Sequence, residues 1–455
     1  MYLHAQNQTD AYSDILGSEA VPFTLSLEAA SFTLASGVHS YVRAVYDGKW
    51  ILIGGRTNGL HGFQDSGNFP ASSQNDLVQV VDPSTGTVWS RLLTDPSSGL
   101  TPEQIYTLNV TAAQGFQDSD MLYMIGGYGY DPGRNENSTK STLSVIRLPG
   151  LIKWVMNTDP SETFANNLRQ TTHPLLKVAG GHLTRVNKHK PVLLIFGQDF
   201  DGNYLVSSNG AYTQQVRAFH VIDNGKSLYI KPCPIEAPNA NYRRRDFPVG
   251  PIISQNGKAL DPSVVVWAGV FTTIGDGYWT VPVSILPHGV TAMADPNGST
   301  TFRQGMNIYN AATSGLFSKS ERAMYQIFFG GISYVTVSDS MFSTDSEFPF
   351  INTVTATRID KSGSVTQHLL SSFPTILQTT VFPGQPFLFG AEAWFFPASG
   401  VQLFPSGVIS LDDLGAGPVV VGYVVGGIQS RVPNTSSMSE SAASAFVFRV
   451  TVEKN

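Results

Sequence analysis

Three short stretches of this 455-residue chain, "NLRQTTH", "NYRRRDF" and "TFRQGMN", each carry arginine. Arg169 lies 28 residues before Gly197, Arg245 lies 24 before Gly269, and Arg303 lies 28 before Gly331, each glycine ending an apolar run. This spacing predicts equivalent positions in successive structural units, each just before the strand that opens the unit. A guanidinium is planar, keeps its charge and offers five donors in a fixed fork. Two chemistries follow. The arginines can order carbonyls and acids between units, or they can face an anion: a carboxylate sugar, a sulfated or phosphorylated glycan, or an acidic peptide. Arg243 and Arg245 belong to a triple arginine followed by Asp246, with Tyr278 and Trp279 further on. Aromatic faces beside a few fixed polar groups suit sugars. Arg56 and His61 in "GGRTNGLHGF" and Tyr334 after Gly331 sit in loops that follow apolar runs. The candidate ligand-binding set is therefore Arg56, His61, Arg169, Arg243, Arg245, Asp246, Trp279, Arg303 and Tyr334.

Other chemistry has less support. "DFDGN" sets Asp199, Asp201 and Asn203 at alternate positions, like part of a calcium loop, but no closing Glu follows. Calcium near Asp199 and Asp201 is the one cation worth weighing, and no metal site is assigned. His39, His61, His173 and His182 lack tight metal-ligand spacing. No GxSxG, Walker A or HExxH pattern occurs, and the acids are too scattered to name a pair for glycoside hydrolysis. No catalytic residue is assigned. The single cysteine, Cys233, allows no intrachain disulfide and reads as a small buried hydrophobe.

The elements that position these residues repeat. Apolar runs end on glycine at Gly55, Gly127, Gly197, Gly269, Gly331 and Gly427, separated by 72, 70, 72, 62 and 96 residues. After each of the first five comes a strand–turn–strand such as "VQVVDPSTGTVWSRLL" or "FHVIDNGKSLYI". Before each run lies another strand. Each unit is thus four antiparallel strands: A, then B ending on glycine, then a C–D hairpin. Such a sheet cannot cover both faces alone, and radial stacking solves this. The expected fold is all-β, a six-bladed β-propeller. "SAFVFRVTVEKN" supplies one strand of the last hairpin, and the N-terminal "VPFTLSLEAASF" is expected to supply the other, closing the ring. Residues 1–19 form an N-terminal extension, 20–455 a single propeller, and 380–418 an insertion in the last blade. That Phe-rich insertion is the place for an exposed apolar patch if the chain is a subunit of an assembly. In a blade, the loop before strand A and the loop after strand B share one face, where ligand contacts gather near the pore.

The glycine pair and the hairpin "NDLVQVVDPSTGTVW" with Trp89 resemble the kelch repeat, over about residues 20–452. "WILIGGRTNGLHGF", "NYRRRDF" and "FRQGMNIY" are also similar to a group of uncharacterised bacterial secreted or cell-surface kelch proteins. That resemblance implies the fold and a location at the cell surface or bacterial envelope. Galactose oxidase is a kelch-like propeller too, but its site needs a cysteine crosslinked to tyrosine, and Cys233 lies in a Pro-flanked segment after strand D. The kelch-type sialic acid mutarotase offers a task that an arginine-lined pore with a nearby acid could perform.

Net charge is −6 and charged residues make up only 14% of the chain, which argues against nucleic acid as partner. No run of about 20 apolar residues exists, so no transmembrane helix is expected. Sequons fall at Asn7, Asn109, Asn137, Asn297 and Asn434. The expectation is an exported binding or scaffold module for a glycan or surface protein, reaching a membrane-associated assembly only through partners. The alternatives are a carbohydrate-active enzyme of the mutarotase type and a structural subunit of a surface assembly.

Overall fold

A computed structural model describes residues 20–455 except 65–66, 188, 206–209, 235, 257–258, 273–276, 287–288 and 339–340. Six antiparallel sheets of the expected A-B-C-D order form a six-bladed β-propeller. The inner strands A are Val42–Tyr46, Gln114–Asp118, His182–Thr184, Val249–Asn256, Ala312–Ser318 and Trp394–Pro397. Blade one continues through Lys49–Ile53, Leu77–Asp82 and Thr87–Leu92. Its strand B buries every residue from Trp50 to Ile53, because a middle strand is covered by a neighbouring blade on each face. Val42, Ile51, Ile53, Val78 and Val80 of blade one share a core with Leu122, Met124 and Ile146 of blade two.

Closure is as expected. Phe23–Ala29 pairs antiparallel with Val447–Lys454, from Phe23 opposite Lys454 to Ala29 opposite Phe448. The outer strand of the last blade therefore comes from the N-terminal side. Phe23, Leu25 and Leu27 point into the core while Thr24 and Ser26 stay exposed, the alternation of a half-buried strand.

The glycine pairs that end strand B have two causes. Gly54 and Gly55 adopt φ of +71° and +89°, a region L side chains disfavour. A Cβ on Gly55 would also lie 2.2 Å from the carbonyl oxygen of His39. The pair turns the chain sharply where two loops meet.

Two expectations need correction. In blade two the stretch "SVIRLPGLIKWVM" is not a hairpin. Strand C, Thr142–Arg147, runs into a helix, Leu148–Met156, and strand D follows only at Leu168–Thr172. Pro149 suits the first turn of a helix, and six of the nine helical residues are buried. Trp154 packs on Phe164 at 5.6 Å and its indole donates to Ser97 Oγ. The segment 380–418 is likewise not an added piece, since it carries strand A of blade six. Of its aromatic residues, Phe389, Phe395 and Phe396 are buried in the core, and Phe382, Phe387, Trp394 and Phe404 are half-buried. The A–B connection that follows places Ile409–Ser410 parallel to Leu316 and Phe317, on the free inner edge of blade five.

Candidate functional site

Two residues before strand A, or three in blade four, each blade brings one peptide group to the channel. These residues are Ser40, Ala112, Gly180, Asp246, Asn310 and Glu392. Their backbones close a ring of six hydrogen bonds. Each N–H donates to the carbonyl of the preceding blade's residue, from 2.8 Å for Asn310 on Asp246 to 3.3 Å for Ser40 on Glu392. Five of the six have positive φ, including Asp246 at +47° and Glu392 at +56°. A left-handed non-glycine residue costs roughly 1–2 kcal/mol, and the ring accounts for why the chain holds this shape.

Above the ring lies a cavity of about 90 Å³ on the face expected from the loop order. Its walls are His39, Arg56, His61, Phe69, Tyr128, Gln198, Tyr204, Arg245 and Tyr309, and its floor holds Asp246 and Glu392. Arg56 and Arg245 are only 2% and 6% exposed. Arg56 Nε donates to Asn58 Oδ1 and Nη2 to the Pro70 carbonyl, with its plane over Phe69 at 5.0 Å. Arg245 Nε meets Asp246 Oδ2 at 3.3 Å, and Nη2 donates to Tyr204 Oη. Burial lowers Arg56 to about 10, still charged at neutral pH. Burial also opposes the charge of Arg245, but Tyr212 and Asp246 outweigh it and hold the group charged.

Both histidines stay neutral. His61 is pulled down to about 4 by burial, then by Arg245 and Arg56, against its bond to the Gly62 carbonyl. Its ring sits between Phe63, Phe69 and Tyr204 at 4.8–5.0 Å. His39 falls to about 3, mainly through burial and then Arg56.

The two floor carboxyls differ. Burial raises both. Asp246 has Arg245 at 3.3 Å and accepts from Tyr309 Oη at 3.1 Å, and both oppose the rise that burial imposes on it. Glu392 has no cation beside it among its described partners. Ser40 Oγ and Asn310 Nδ2 donate to its Oε2 at 2.8 and 3.0 Å. Burial, and then the charge of Asp246, push it to about 8. Glu392 is thus an acid that keeps its proton at neutral pH, beside a second acid whose charged form is favoured by Arg245. Such separation of two acids sets up general acid and base roles. Ser40 Oγ also lies 2.8 Å from His39 Nδ1, so His39, Ser40 and Glu392 form a chain along which a proton can pass.

Of the nine sequence candidates, Arg56, His61, Arg245 and Asp246 meet in this cavity. The other five do not line it. Arg169 is not before a strand A. It lies in strand D of blade two and pairs with Asp223 at 2.5 Å. Arg303 binds the carbonyls of Thr301, Pro296 and Gly298 in its own loop. The three arginines are therefore not equivalent: similar spacing to the glycine, 28, 24 and 28 residues, was produced by D–A connections of unequal length. Arg243 donates to the carbonyls of Phe271 and Thr272 and lies 4.0 Å from the Tyr212 ring. Trp279 Nε1 donates to the Arg243 carbonyl. Tyr334 packs against Tyr278 at 4.5 Å. Arg169→Ala should change stability by no more than about 1 kcal/mol, as expected for a pair whose guanidinium is 39% exposed, and leave ligand affinity at the cavity unchanged. Denaturant titration and calorimetry read both.

Glu392 and Tyr309 were not among the candidates. The available signal was positional: aligning the six units on strand A, rather than on arginine, puts Glu392 within one position of Asp246. Asp199 and Asp201 face Lys177 Nζ at 3.1 and 2.8 Å, and Asp201 also faces Arg134. Of the sequons, Asn109 and Asn137 are buried in side-chain hydrogen bonds, Asn297 and Asn434 are exposed, and Asn7 lies outside the described residues.

No family model matches the chain, and no curated protein matches it. Among solved structures, YjhT is 9% identical over 93% of this chain and 99% of its own, with a TM-score of 0.47. A chain of RAG, in complex with one melted and one unmelted RSS, is 14% identical over 94% and 100%, with a TM-score of 0.46. A fungal alcohol oxidase of the AA5 family, in complex with copper, is 8% identical over 95% and 76%, with a TM-score of 0.38.

Proposed function

We propose that the protein is a binding module that takes a small carboxylate-bearing sugar, or the acidic end of a glycan, in the axial cavity. The observation that carries this is the convergence of two buried, charged guanidiniums on one cavity, of which only Arg245 has an acid, Asp246, beside it among the described residues. Arg56 is left to meet one anionic group. The apolar lining of Leu60, Phe69 and Ile428 and the ring of Tyr204 give a sugar face a surface to rest on. An exported location, at the cell surface or bacterial envelope, belongs to the same proposal and rests on the resemblance alone.

The test is a ligand set read by thermal shift and calorimetry. N-acetylneuraminate and D-glucuronate carry both carboxylate and hydroxyls. D-glucose lacks the carboxylate, and cyclohexanecarboxylate lacks the hydroxyls. Saturable binding of a sugar acid with none of glucose supports the proposal. Equal binding of glucose, or no binding of any acid, contradicts it.

A second reading is favoured by Glu392. A protonated acid beside an ionised one can give a proton to a sugar's ring oxygen while the other takes one from the anomeric hydroxyl. The ring C–O bond opens, the chain rotates, and the reverse steps reclose it with no net change of atoms. Faster exchange between anomers in NMR, lost in Glu392→Gln, would establish this activity. A rate equal to buffer would leave the protein a binder.

A further inference from the structure

The ring of six hydrogen bonds is the floor of the axial cavity and also the roof of another. Ser40, Ala112, Gly180, Asp246 and Glu392 line both. The lower chamber has a volume of about 30 Å³ and is further lined by Gln114, His182, Asn310 and Trp394. Trp394 is fixed by its Nε1–H on the Tyr41 carbonyl, and Arg43 stacks over its ring at 4.9 Å. Gln114 is 2% exposed. Its Nε2 donates to the Ala112 carbonyl at 2.6 Å, which fixes the direction of the amide. Its Oε1 is buried and has no hydrogen-bond partner.

A buried acceptor without a donor is rare in folded proteins and commonly marks a water site. A cavity needs about 10–15 Å³ and two to four polar partners to hold one. The lower chamber exceeds that volume and has such partners in Gln114 Oε1, Glu392 and Asn310. It is too small for a sugar or any organic ligand. We infer that the lower chamber holds an ordered water that donates to Gln114 Oε1 and reaches the Glu392 carboxyl group. Glu392 then has a proton partner on the side of the ring away from the axial cavity. A ligand filling the upper cavity would cut Glu392 off from bulk solvent there, while the contact below would persist. The inference does not depend on which ligand enters above.

The test is a crystal structure of the full chain at a resolution that places waters, with Gln114→Leu beside the wild type. The expected result is water density within hydrogen-bond distance of Gln114 Oε1 that is lost in the variant. Infrared spectroscopy in D2O then follows the Glu392 C=O stretch, assigned with Glu392→Gln. That stretch should shift in Gln114→Leu, where the carboxyl group loses its water. An empty chamber in the wild type, a monatomic ion in place of water, or an unchanged stretch in the variant would overturn the inference. Should Gln114→Leu fail to fold, the wild-type density alone decides.

Discussion

Glu392→Gln should be more stable than the wild type above pH 8 and nearly equal to it below pH 4.5. Glu392 holds its proton in the folded chain up to about pH 8, against 4.5 for an ordinary glutamate. Between those values the folded state carries a proton that the unfolded state has lost. Unfolding then releases a proton, so raising the pH favours unfolding. The contribution is fully present below 4.5 and is gone once pH passes about 8. At about 1.4 kcal/mol per pH unit, the window amounts to about 5 kcal/mol at most. Glutamine keeps the shape and can still accept from Ser40 and Asn310, but it has nothing to ionise. Urea unfolding at pH 4, 6 and 9 measures the effect. A wild-type stability falling over this range, with a flatter profile in the variant, is expected. Parallel profiles would mean that Glu392 is ionised in the fold.

Arg245→Met is expected to cost about 3–5 kcal/mol, the usual penalty for stranding one partner of a buried ion pair. Asp246 would lose the cation at 3.3 Å and keep only Tyr309 Oη as donor among the bonds described. The double variant Arg245→Met/Asp246→Asn should recover most of that loss, because neither charge is then buried alone. Both variants should lose sugar-acid binding. That separates the two roles of Arg245, since stability returns in the double variant and affinity does not. A double variant as unstable as the single one would assign the loss to packing against Phe271 and Tyr204 instead.

The fold was legible because its signals are local and repeated. Gly54–Gly55 and its five counterparts mark backbone turns that no other residue type makes as easily, and the alternation in Phe23–Ala29 marks a strand with one wet face. Closure followed from a strand left over at each end. The helix Leu148–Met156 was missed because its core contacts, Trp154 with Phe164 and Ser97, are tertiary and leave no period in so short a stretch. The site was half legible. Arg56, His61, Arg245 and Asp246 stand beside glycine turns or in an unusual arginine run. Glu392 stands in the Phe-rich segment of the last blade, with no charged neighbour in sequence. Only the ring of backbone bonds brings it level with Asp246, and only burial gives it a proton to hold. Arg169 and Arg303 misled because guanidinium serves carbonyls and acids in ordinary packing as readily as it serves ligands.

The most direct test of the axial cavity as an anion site is calorimetric titration of N-acetylneuraminate and D-glucuronate into the wild type and Arg56→Met. Arg56 borders the cavity without an ion-pair partner among the described residues, so its loss strands no buried acid. Binding of at least one sugar acid to the wild type, at one site per chain and lost in a folded Arg56→Met, is the predicted result. Binding that persists unchanged in Arg56→Met, or a wild type that takes neither acid at millimolar concentration, would contradict it.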